Sequence, residues 1–158
     1  MSQFFAEYAR LVVFFHVIFA IIWIGGMIVV RFAVHQGLGG IEDKGVRLGT
    51  TIKILDRFFK MIIGALTIMA VTGFIMLKAS SFPPAMAVLA HVKTQIWTVM
   101  TVVFGYIYYR FAKAKDSYAS GDLAMTTAFL APIPKYLILV NISLGLLAVL
   151  FGVILRGY

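Results

Sequence analysis

Four stretches of this chain are long and apolar enough to cross a bilayer, and that feature constrains the fold more than any other. A helix needs about 20 mostly apolar residues to traverse the hydrocarbon core. The stretches cover about 11–34, 58–77, 94–112 and 136–155. Hydrocarbon offers no hydrogen-bond partners, so only helices and closed barrels can span it. None of the four shows the period-2 alternation of a barrel strand. The sequence therefore predicts an all-α integral membrane protein, a single four-transmembrane-helix bundle over residues 1–158. Composition agrees. Hydrophobic residues make up 62% and charged residues 13%, against roughly 45–50% and 25% in a soluble domain. Disorder is excluded on the same ground. The first stretch carries Trp23, Gly25 and Gly26 in its middle and no A-x-A-like site after it, so it is expected to stay in the mature protein. There is no Cys, which removes disulfides, thiolate metal sites and Cys nucleophiles.

The net charge is +8, and its placement tells what it is for. Four spans put both termini and the second loop on one face. That face carries Arg10, Lys78, Lys93 and Arg156, while the rest of the 14 Lys and Arg residues fall to the other. The positive-inside rule puts loops one and three in the cytoplasm. Both termini are then expected on the periplasmic side of a bacterial inner membrane. A basic excess explained by topology does not call for nucleic acid.

Loop one contains a second pattern. Leu48, Ile52, Leu55 and Phe59 recur at helical spacing, and Lys53, Arg57 and Lys60 fall on another face. This predicts an amphipathic helix over about 46–60, lying on the cytoplasmic leaflet and feeding span two. Gly37, Gly39 and Gly40 are expected to stop helix one. In loop three, Ser120-Gly121-Asp122 reads as a turn and helix start, and Pro132 and Pro134 break the chain before span four.

Ionisable groups within a bilayer are costly and mark function. No Asp or Glu lies inside a span, which argues against carboxylate proton relays and paired-carboxylate catalysis. His16, Arg31, His35, His91 and Lys93 remain. His16 falls about 7 Å below the outer boundary at 1.5 Å per residue. His91 and Lys93 open span three from the same side and can share its layer. Arg31 and His35 lie one turn apart near the inner boundary. His16 and His35 are about 28 Å apart along the helix and cannot share a ligand. Neutral imidazole is a good haem or metal ligand, so His16 and His91 are the candidate metal and cofactor residues. Trp23, two turns after His16, is a candidate cofactor contact. The alternative is a histidine hydrogen-bonded between helices.

These residues resemble the HemJ-type protoporphyrinogen oxidase family of small four-span membrane proteins. His16 followed by Trp23 is similar to the first-helix His and Trp of that family. Arg31-Phe32-Ala33-Val34-His35 resembles its Arg-x-x-x-His, and His91-Val92-Lys93 its His-x-Lys. Val30 stands where the family has Pro before the Arg. Phe104-Gly105-Tyr106 stands where its third helix has a further His. Trp23-Ile24-Gly25-Gly26 is instead similar to the Trp-x-Gly-Gly of CopD-type copper resistance proteins. The resemblance implies a haem b, a porphyrinogen substrate, and Arg31, His35 and Lys93 as catalytic residues.

Three readings follow. The first is a haem-linked redox protein with His16 as axial ligand, His91 as its partner and Lys93 on a propionate, passing electrons to a quinone or cytochrome. The second is a copper transport or resistance protein using His16, Met76 and His91. The third is a non-catalytic membrane subunit, with polar residues holding helices together or supporting a homo-oligomer.

Overall fold

A computed structural model describes residues 2–79 and 83–155. The chain is a multi-pass integral membrane protein with four long apolar helices. Helix α1 runs Ser2–Val29 and continues through a π-helical turn, Val30–Val34, into α2, His35–Gly37, and a 3-10 turn, Leu38–Gly40. Helix α3 is Lys44–Ala79 and α4 is Pro84–Ala119. A short helix α5, Leu123–Leu130, leads through a second π-helical turn, Ile133–Leu137, into α6, Ile138–Ile154. Helix α1 packs on α3, α3 on α4, α4 on α6, and α6 back on α1, so sequential neighbours close a four-helix ring.

Local chemistry sets the ends. The Asp43 carboxylate accepts from the Val46 N–H at 2.8 Å and caps α3. Asp122 does the same for α5, accepting from Met125 N–H at 2.8 Å. Gly121 has φ +81°, the left-handed conformation a side chain resists. The Ser120-Gly121-Asp122 turn is thus as expected. Pro84 opens α4, where its missing N–H costs nothing. Gly37, Gly39 and Gly40 end the first rod, as their spacing indicates.

Three expectations change. Helices α3 and α4 have 36 residues each. At 1.5 Å per residue they reach about 54 Å, well beyond a hydrocarbon core of about 30 Å. The span drawn at 58–77 is only the later part of α3, and that at 94–112 only the middle of α4. The 46–60 segment does not lie apart on a leaflet. It is the first part of α3, and Leu48, Ile52, Leu55 and Phe59 are buried within the bundle. A surface helix and an overshooting helix share one apolar stripe. Here the stripe finds protein partners on α4 and on the approach to α6. Pro132 and Pro134 also do less than break the chain. They lack the N–H groups an α-helix needs, and the helix widens to a π turn in which the Ile138 N–H donates to Ile133 O.

The core is lopsided. The end of the bundle with loops one and three is here named the basic end, and the other the terminal end. Trp23, Phe59, Ile62, Ile107, Phe111, Ile133 and Ile138 are almost fully buried, and all lie toward the basic end. Ring contacts link Trp23 to Phe104 at 6.4 Å, Phe104 to Phe59 at 5.6 Å and Phe59 to Phe111 at 5.0 Å. Edge-to-face pairs of this kind add to packing that has no hydrophobic drive in lipid. Toward the terminal end, burial thins to Val12, Ala90, Met69, Thr72 and Gly145. The outer faces present Ile21, Val88, Val102 and Tyr109, as lipid contact demands.

Candidate functional site

The terminal half holds a polar cluster. His16 on α1 faces Thr72 on α3, with His16 Nδ1 at 2.9 Å from Thr72 Oγ1. The threonine oxygen is also 2.7 Å from Ile68 O. Two oxygens that close need a proton between them, so the single hydroxyl proton goes to Ile68 O. Thr72 Oγ1 is then the acceptor, and His16 Nδ1–H donates to it. A neutral ring protonated on Nδ1 keeps its lone pair on Nε2. Such a bond from the far ring nitrogen is how proteins orient a ligating histidine.

Two glycines make room for the cluster. A Cβ at Gly73 would sit 3.3 Å from His16 Cε1. A Cβ at Gly152, on α6, would sit 2.9 Å from Lys93 Nζ. Lys93 on α4 is half-buried, and its charge acts on the His16 ring. Four helices thus contribute to one layer: α1 the imidazole, α3 the hydroxyl, α4 the ammonium and α6 the glycine beneath it.

The other expected residues fall elsewhere. His91 is exposed on the first turns of α4. Trp23 is only 1% exposed and packs edge-on against Phe104. It sits about 10 Å further along α1 than His16, so it belongs to the aromatic core. Arg31 stacks its guanidinium 5.3 Å from the Phe32 ring centroid, and its Nε is buried with no hydrogen-bond partner. His35 is exposed at the basic end, where it lines a cavity with Lys44 and Arg47. Arg31 and His35 are therefore not part of the His16 layer. Arg156, counted among the charges of the terminal face, lies outside the described residues. Among the described residues no three His, Asp or Glu side chains gather as a metal cluster. A redox centre here would rest on His16 alone among the residues brought together.

Sequence reasoning missed Thr72, while Gly73 and Gly152 are legible only as small residues that let helices approach closely. A lone Thr in an apolar span has no signal of its own, and Thr72 is 56 residues from its partner. Arg110, in contrast, is fully occupied in holding α5. Its Nη2 donates to Ala128 O at 2.7 Å and its Nε to Phe129 O at 3.1 Å. Comparison with family models, curated proteins and solved structures finds no match.

Proposed function

We propose that the protein is a haem-b-associated membrane redox protein of the HemJ type, with His16 as the iron ligand. The observation that carries this is the His16–Thr72 pair. It leaves Nε2 as the lone-pair nitrogen in the half of the bundle that buries few of its own side chains. The residues fit the group in charge as well as in donor. Lys93 is the cation of that layer and would pair a propionate. A bound haem would supply one-electron chemistry between its two iron states. The chain's own contributions are distinct from that. Thr72 fixes the ring, Gly73 admits it, and the bilayer half around it excludes water. For a porphyrinogen substrate, Lys93 in the His16 layer or Arg31 at the other end would pair its carboxylates. His91, exposed at the start of α4, would be an outer ligand only after moving toward His16.

The absorption spectrum of the detergent-purified full chain tests the reading. A Soret band that shifts on dithionite reduction is expected. A colourless protein with stoichiometric copper would favour the copper-handling reading, and a colourless metal-free one the non-catalytic reading. Rescue of a strain lacking protoporphyrinogen oxidase then tests the substrate. Failure despite good expression would limit the activity to electron transfer.

A further inference from the structure

A cavity lies at the opposite end from His16, between the first rod, α3 and the α5–α6 junction. It encloses about 360 Å³, at the small end of the roughly 300–1,000 Å³ typical of ligand sites. Its floor is apolar and buried: Val30, Leu55, Leu130, Ile133 and Ile138. Its accessible rim carries His35, Lys44 and Arg47, and no acidic residue lines it.

Two further features mark it as built. Both π-helical turns among the described residues meet here, Val30 and Val34 from the first and Ile133 and Pro134 from the second. Such turns cluster at functional sites because they widen the backbone and re-aim side chains. The donors are also sorted. Thr51 and Thr127 spend their hydroxyl protons on Arg47 O and Leu123 O, at 2.8 and 2.7 Å. Arg47 spends one Nη1–H on Ile41 O at 3.1 Å, which fixes the loop before α3. Lys44 and the remainder of the Arg47 fork supply the charged donors.

We infer that this cavity binds an anionic phospholipid, with an acyl chain on the apolar floor and its phosphate against Lys44 and Arg47. An apolar floor under a cationic rim at headgroup level selects a ligand that is itself apolar at one end and acidic at the other. Basic pockets between transmembrane helices take anionic headgroups in this way. The site shares no residue with the His16 layer, so it stands or falls apart from the redox reading.

Native mass spectrometry of the full chain tests this after exchange into equal dioleoyl-phosphatidylglycerol and dioleoyl-phosphatidylcholine. One phosphatidylglycerol per chain should be retained with a preference of about tenfold, since each nearby cation contributes several-fold. Lys44→Gln with His35→Gln should cut the preference to about twofold. Ala131→Trp, which fills the cavity without touching the charges, should lower retention of both lipids. Wild-type selectivity decides the matter even if a variant folds poorly. Equal retention of the two lipids, or unchanged selectivity in the double variant, would overturn the inference. Retention of oleate with no retention of phosphatidylglycerol would overturn it too, by assigning the site to a free fatty acid.

Discussion

The two halves of the bundle are built on different principles. The basic half is closed by side chains: Phe59 and Phe111 are each 2% exposed, and Ile62, Ala114 and Ile133 have no exposure at all. The terminal half is closed by few side chains, and its contact between His16 and Thr72 is polar. In lipid, helices are held by van der Waals fit and by interhelical hydrogen bonds. The basic half combines dense side-chain packing with hydrogen bonds such as that of Tyr118 to Gly45 O, while the terminal half packs sparsely around the His16–Thr72 bond. Substitutions in the aromatic core of the basic half should therefore cost more stability than substitutions around His16.

The largest effect should come from emptying the aromatic core. Phe59→Ala removes a ring that touches Phe58, Phe104, Tyr108 and Phe111. It should cost about 3–5 kcal/mol in reversible unfolding from mixed micelles. Val12→Ala in the terminal half should cost about 1 kcal/mol or less. Equal losses at the two positions would break the comparison.

The glycines sharpen it. A Cβ at Gly49 would collide with the Tyr118 hydroxyl, which donates to Gly45 O at 3.2 Å. Gly49→Ala should therefore cost about 1–3 kcal/mol in the same assay. Gly73→Ala meets only the edge of His16. Its thermal midpoint should hold or rise, because Ala favours a helix over Gly by about 1 kcal/mol. If the proposed haem sits on His16, its effect should be a displaced Soret maximum. Loss of stability without a spectral change would show that Gly73 serves packing alone.

Thr72→Val comes next. It keeps the shape and removes the hydroxyl oxygen that faces His16 Nδ1, leaving the ring only its backbone partner at Met69. Removing the partner that orients a ligating histidine typically lowers ligand-site affinity by about 10–100-fold. Haem titration into the apoprotein should show that loss, with stability falling by only about 1 kcal/mol. The smallest effect should come from Asp56→Asn. Asp56 joins α3 to α4 through Lys115 and pairs with Lys60 on its own helix, each at 2.6 Å. These are solvent-facing pairs at the basic end, so the change should be small and should vanish in high salt.

Much of the frame was legible in the sequence because the bilayer reduces folding to length and polarity. Four apolar stretches could form little else, and Asp122 after Gly121 announced its own cap. The overshoot of α3 and α4 was not legible. The pattern of Leu48, Ile52, Leu55 and Phe59 fixes a helical face but says nothing of what covers it. His16 stood out because an imidazole in hydrocarbon is costly. Its partner did not, because a threonine can satisfy itself on the preceding turn, as Thr67, Thr94 and Thr98 do. Trp23 shows the limit of helical spacing. It shares a line with His16, yet the packing of Phe104 claims it for the core. The inner cavity was invisible for a further reason. It arises where three separated segments meet at two π turns, and no local pattern signals a π turn.

The most direct test of the account is the spectrum of His16→Gly beside that of His91→Gly, each purified as the full chain and titrated with imidazole. The ligand assignment predicts that His16→Gly loses the Soret band and regains it with imidazole, while His91→Gly keeps its band throughout. An unchanged haem spectrum in His16→Gly would contradict it.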